Sequence, residues 1–98
     1  MKASVAAKLA SLVSRAKELD ALLSDPDVTS DLDNYRKLTR EHAEIAPVVG
    51  RYNDYVAAEG DVATAEDMAK DPQMREFAEA EIRAGRDRLE SIAADIQK

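Results

Sequence analysis

The feature that most constrains this chain is an apolar stripe with helical spacing that occurs three times and is interrupted twice at proline. Steps of three and four residues place side chains on one face of an α-helix. The interruptions fall at Asp25-Pro26 and at Asp71-Pro72. Proline disfavours helical geometry in the residue before it. The pattern predicts three long amphipathic helices and no β-strand.

Each predicted helix carries its own stripe. The first stripe consists of Val5, Leu9, Leu12, Ala16, Leu19 and Leu23, widened by Val13 and Leu22. The second consists of Tyr35, Leu38, His42, Ile45, Val49, Tyr52 and Val56. The third consists of Ala78, Ile82, Gly85, Leu89, Ile92 and Ile96, with Met74 and Phe77 widening its first turns. Because each stripe needs another to cover it, we predict an all-α antiparallel helical hairpin or bundle, one domain over residues 1–98.

Polar residues beside the prolines predict where the helices begin and end. The first helix is expected to end at Ser24–Asp27, and the second to begin with the capping hydroxyl of Ser30. The third is expected to begin with Asp71 as its N-cap and Pro72 in first helical position. Pro47 lies within the second stripe, where it costs about 3 kcal/mol. Because the stripe keeps its phase past Pro47, we predict one long central helix from about residue 31 to about 69, kinked there; a break is the alternative.

Composition excludes most catalytic and cofactor sites. The chain has no Cys, one histidine (His42) and three widely separated glycines, so thiolate metal sites, two-imidazole sites and glycine-rich phosphate loops are excluded. Its 20 acidic and 14 basic residues give a net charge of −6, which disfavours direct nucleic-acid binding. It has neither a membrane-length apolar run nor a signal-peptide pattern. We therefore expect a soluble cytoplasmic protein without cofactor or metal.

His42 and the carboxylates are the remaining candidates for chemistry. A lone histidine on an apolar stripe is expected to be a hydrogen-bonded core or boundary residue, and acids spread over amphipathic helices are expected to be solvated. The aspartates after Ser24 resemble a calcium loop, but Ser30 and Arg36 occupy the positions of its glycine and glutamate. That loop is excluded.

The segment from Glu18 to Asp33 stands out because it holds six acids and no base. It is either a soluble turn that favours a helix start or an electrostatic face for a basic partner. The candidate partner-binding residues are Asp25, Asp27, Asp31 and Asp33.

Several sequence blocks together resemble a known family. They are Met1–Val5 with Lys8-Leu9, Leu22–Pro26, Tyr35–Ala43, Pro47–Val49, Ala65–Met68 and Asp71–Ala78. Their succession resembles the N-terminal helical domain of the bacterial peptide chain release factor 1 family, class-1 factors for UAA and UAG. The likeness runs along essentially the whole chain. Ala69 and Gly85 stand where leucine is expected in that family, and Gly60 also departs from it.

The resemblance implies a non-catalytic module in translation termination. It implies docking near the stalk base of the large ribosomal subunit, with the recycling GTPase factor as a further partner and no membrane partner. The family's Gly-Gly-Gln loop, which triggers peptidyl-tRNA hydrolysis, and its codon-reading tripeptide have no counterpart in these 98 residues. No catalytic or codon-reading residue is therefore assigned.

Two other functions remain open from the sequence. One is a coiled-coil structural protein that self-associates through its apolar stripes. The other is an RNA-binding helical arm, which the acidic charge disfavours.

Overall fold

The computed structural model describes residues 1–97 and contains three α-helices. α1 spans Ala3–Leu23, α2 spans Leu32–Met68 and α3 spans Arg75–Ile96, with a short 3₁₀ turn at Val28–Ser30. Since no strand occurs in the described range, the predicted all-α class is confirmed. None of these helices is long and apolar enough to span a membrane.

The chain forms two compact units, Met1–Gly50 and Arg51–Lys98, each containing part of α2. Whether they make the single domain predicted over residues 1–98 stays a prediction. In the first unit α1 packs against the beginning of α2, and the core consists of Leu9, Ala16, Leu19 and Leu38. Arg15 of α1 binds Glu41 of α2, about equally far from the short connection, as in an antiparallel helical hairpin.

α2 continues through Pro47, so the alternative of a break there is wrong. The observed bounds agree closely with the predicted residues 31 to 69. Proline has no amide hydrogen to donate, which leaves the carbonyl of Ala43 without its usual helical donor. The kink expected from that loss stays a prediction.

The N-terminus of α2 is capped by Asp31, and the prediction that Ser30 supplies the cap is wrong. The amide of Asn34 donates to Oδ1 of Asp31 over 3.1 Å, which is N-cap geometry. The Ser30 hydroxyl instead donates to the Asp27 carbonyl over 2.7 Å. A carboxylate also stabilises the positive end of the helix dipole better than a hydroxyl does.

In the second unit α3 packs antiparallel to the remainder of α2. Arg51, near the start of this part of α2, binds Asp95 near the end of α3. Glu66, near the end of α2, binds Arg86, which lies closer to the start of α3. The buried apolar side chains of this unit are Ala58, Val62, Ala65, Ala78 and Ile92.

Three predictions about burial and helix ends in the second unit are wrong. Val56, which was predicted to lie on the second apolar stripe, is 46% exposed. The buried face of α2 in this unit instead includes the half-buried Tyr55 and the small buried residues that follow it. α3 starts at Arg75, since Asp71 and Pro72 form a turn in which the Asp71 carboxylate accepts from the amide of Gln73. Phe77 and Met74 were predicted to widen the third stripe. Phe77 instead lies in the first turn of α3 and is 55% exposed, and Met74, which directly precedes α3, is 37% exposed.

Candidate functional site

The candidate site is the connection between α1 and α2, which is rigidified by local hydrogen bonds. Oδ1 of Asp25 accepts from the amide of Asp27 over 2.9 Å, and the Asp25 carbonyl accepts from the amide of Val28 over 3.0 Å. The Asp27 carbonyl accepts from both the amide and the hydroxyl of Ser30. With Asp31 as the cap of α2, the side chains of Asp25, Ser30 and Asp31 each have a local hydrogen-bond partner. The connection is therefore an ordered turn.

All four predicted partner-binding aspartates lie in or next to this connection and are exposed: Asp25, Asp27, Asp31 and Asp33. None of them forms an ion pair within residues 1–97. Their negative charges are thus not balanced by an ion pair in the part of the chain that the structure describes.

The other two acids of the segment have side-chain partners within the unit. Glu18 binds Arg15 over 2.6 Å, and Oδ1 of Asp20 accepts from Nε2 of His42 over 2.8 Å. Because a carboxylate can only accept, Nε2 carries the proton in this bond. His42 is half-buried and hydrogen-bonded, which confirms its prediction as a boundary residue.

Two leucines add an apolar component that the sequence did not predict. Leu22, expected to widen the first stripe, is 42% exposed, and Leu32, which lies off the second stripe, is 55% exposed. They stand at the end of α1 and at the start of α2, on either side of the turn. Leu32 was not included in the predicted second stripe, but it precedes Tyr35 by three residues, so the spacing gave no signal that it is exposed.

A salt bridge between Arg15 of α1 and Glu41 of α2 joins the two helices of the first unit. Nε and Nη2 of Arg15 donate to the two carboxylate oxygens of Glu41, each over 2.7 Å, in a bidentate arrangement. These hydrogen bonds, with the attraction of the guanidinium, lower the pKa of Glu41 below its ordinary value of 4.5. The same hydrogen bonds raise the pKa of Arg15.

Acid should weaken the first unit through Glu41. Because its pKa is lower in the folded chain, its ionised form contributes stability above pH 4.5 that is lost as the pH falls through the folded pKa. We expect Glu41→Gln to lower stability at pH 7 and to reduce the further loss between pH 6 and pH 3, measured by urea unfolding at each pH. Glu44→Gln is the matched control, since Glu44 is exposed and forms no described ion pair. An unchanged acid response in Glu41→Gln would contradict this account.

The turn presents a surface of a kind that can bind a partner. Within residues 1–97 no three Asp, Glu or His side chains come together as a metal site would require. The residues in and beside the turn offer four carboxylates that form no ion pair within residues 1–97, together with two exposed leucines. Such a surface can contact a protein that presents basic and apolar side chains.

Comparison with known proteins places this helical module in a family. Residues 12–98 match the PCRF domain, and the chain belongs to that family. Its relatives are "Peptide chain release factor 1" of Nitrosospira multiformis, at 53% identity, and of Paraburkholderia xenovorans, at 52%. The same factor of Paraburkholderia phymatum is 50% identical. In each case the match covers the whole of this chain and 27% of the relative, so the chain spans about a quarter of their length.

No solved structure shows a significant match to the chain. The resemblance to the release factor 1 family, which was inferred from the sequence blocks, is confirmed by 53% identity over all 98 residues of this chain.

Proposed function

We propose that this chain acts in translation termination, as the docking domain of a peptide chain release factor that directs release at UAA and UAG. The observation that carries the proposal is about 50% identity to release factor 1 relatives along all 98 residues. The domain itself is proposed to be non-catalytic. Its residues position a larger factor, and its place of action is the cytoplasm.

The proposed partner is the ribosome, at the stalk base of the large subunit, with the recycling GTPase as a second candidate. Asp25, Asp27, Asp31 and Asp33 are the proposed contact residues, joined by the exposed leucines Leu22 and Leu32. Support comes from the uncompensated charge of the aspartates and from the ordered turn that holds them. An ordered surface loses less conformational entropy on binding than a flexible loop does.

Charge removal at the turn tests the docking proposal. Changing all four aspartates to asparagine keeps each local hydrogen-bond acceptor, including the cap at Asp31, and removes only the charge. At roughly 0.3–0.5 kcal/mol for each exposed charge, we expect about tenfold weaker binding to purified large subunits in a sedimentation assay.

The control for that experiment changes four exposed acids of the second unit to their amides: Glu59, Glu79, Asp87 and Glu90. The two variants have the same net charge, so a general electrostatic effect would weaken both equally. Equal weakening would reject the turn as the contact surface. Absence of ribosome binding by the folded parent chain at low and moderate salt would reject docking by this domain.

Self-association through the apolar stripes is the alternative function. The core side chains of these stripes are already buried within each unit, as Leu19 at 0% and Ile92 at 3% exposure illustrate. A stripe that is covered within its own unit offers little surface to a second copy. Sedimentation of the chain as a monomer at tens of micromolar would reject this alternative.

A further inference from the structure

A groove on the second unit has the shape and lining of a binding site for a peptide. It lies between α2 and α3 and has a volume of about 430 Å³, within the range of roughly 300–1,000 Å³ typical of ligand pockets. Its apolar residues are Ala65, Met68, Phe77, Ala84 and Gly85. The polar residues around them are Asp61, Thr64, Glu81 and Arg88.

Phe77 is the clearest sign that this groove binds something. It is 55% exposed and lines the groove from the first turn of α3. Large aromatic side chains at the edge of an apolar concavity are typical anchors of protein interfaces. Met68, half-buried beside it in the groove, extends the apolar end with a flexible side chain that can adapt to a partner.

The charges of the groove indicate the chemistry of its occupant. Neither Asp61 nor Glu81 forms an ion pair in the described part of the chain, whereas neighbouring acids such as Glu66 and Asp67 do. Residues 51–98 also hold 12 acidic and seven basic side chains, so the field around the groove is negative. The lining itself holds one cationic residue, Arg88, so its two acids outnumber it. Cationic side chains on a partner would meet the carboxylates of Asp61 and Glu81 beside an apolar floor.

We propose that this groove binds a basic amphipathic peptide segment of a partner protein, which inserts an apolar side chain against Phe77 and Met68 and places lysine or arginine at Asp61 and Glu81. Helix-in-groove recognition of this kind needs an apolar concavity and flanking charges, and both are present here. The surface is separate in sequence and in unit from the acidic turn. The inference goes beyond the proposed docking function and does not depend on it.

A peptide titration tests the inference. The probe is a synthetic amphipathic helix of leucine and lysine, and its counterpart carries the same leucines with glutamate in place of lysine. Binding of the labelled peptides to the 98-residue chain is followed by fluorescence anisotropy at 150 mM salt, which screens contacts between distant charges. We expect saturable binding of the lysine peptide alone, with amide NMR shifts centred on residues that line the groove.

Two pairs of variants decide whether the groove is responsible. Phe77→Ala should raise the Kd for the lysine peptide at least tenfold, whereas Val56→Ala, which removes a similarly exposed apolar side chain of the same unit, should leave it unchanged. Asp61→Asn combined with Glu81→Gln should raise the Kd roughly three- to tenfold. Glu59→Gln combined with Glu79→Gln, which makes the same change in net charge away from the groove, should have a smaller effect.

Three outcomes would overturn the inference. The first is equal binding of the leucine–glutamate peptide, and the second is an equal response to Phe77→Ala and Val56→Ala. The third is a set of NMR shifts centred on the acidic turn, which would assign the binding to the first unit. Circular dichroism of each variant establishes that it is folded before its affinity is compared.

Discussion

Replacing Leu19 by alanine is expected to lower the free energy of unfolding of the first unit by about 2–5 kcal/mol. Leu19 is the one large side chain with no exposure in the described part of the chain, at 0%. Its truncation removes apolar contacts and leaves a cavity that the surrounding helices fill only in part. Alanine has at least as high a helix propensity as leucine, so the loss reports packing alone. Urea unfolding followed by circular dichroism measures it.

The matched control for Leu19 is Leu22, three residues further along α1. Leu22→Ala makes the same chemical change at a side chain that is 42% exposed, and we expect a loss below about 1 kcal/mol. A similar cost for both variants would show that the core of the first unit lies elsewhere than at Leu19.

Replacing Gly85 by alanine is expected to destabilise the second unit, against the usual gain for that substitution in a helix. A Cβ at Gly85 would lie 2.5 Å from Cγ2 of Val62, a side chain that is itself buried. Because valine in a helix has one strongly preferred rotamer, it cannot easily move aside. Overpacking costs about 1–3 kcal/mol, which exceeds the gain of about 1 kcal/mol in helix propensity. A lower urea midpoint is the expected result.

Two variants isolate the contact between Gly85 and Val62. Gly60→Ala is the control for propensity, since a Cβ at Gly60 meets nothing within 4 Å, and we expect it to stabilise by about 0.5–1 kcal/mol. In a Val62→Ala background the clash is absent, so Gly85→Ala should then stabilise as well. Stabilisation by Gly85→Ala in the parent chain would contradict the close packing seen here.

The same contact gives a physical reason for glycine at position 85, where the resemblance leads us to expect leucine. Leucine is expected at position 85 in that family, and this chain has glycine. The structure shows that Cγ2 of Val62 occupies the space in which a side chain at position 85 would begin. The sequence alone could not reveal this, because the two residues lie far apart in the chain and meet only when α2 and α3 pack.

Much of the fold could be predicted because the local signals are strong. The three-four spacing of apolar residues and the interruptions at Pro26 and Pro72 predicted three helices. Because the second stripe keeps its phase past Pro47, the sequence also predicted that α2 continues through that proline. Among the predictions that failed, the N-cap of α2 was a choice between neighbouring residues. Ser30 and Asp31 can both cap a helix, and their hydrogen-bond partners decided between them.

The candidate site was predictable in its charges but not in its geometry. The four aspartates could be selected by counting acids, and they are exposed as a docking surface requires. Glu18 and Asp20 find their partners in Arg15 and His42, and His42 lies on the other helix of the hairpin. The apolar partners Leu22 and Leu32 became visible only when their exposed fractions were known.

The sequence by itself determined the helix number, the register of most apolar residues, the acidic charge and the family. These properties depend on spacing along the chain or on sums over its residues, so they can be predicted without knowing which helices pack against each other. Only the tertiary structure decided that Phe77 faces an open groove, that Cγ2 of Val62 lies against Gly85, and that Asp20 is hydrogen-bonded to His42 of the other helix. Each of these depends on contacts between residues distant in sequence, for which helical periodicity carries no information.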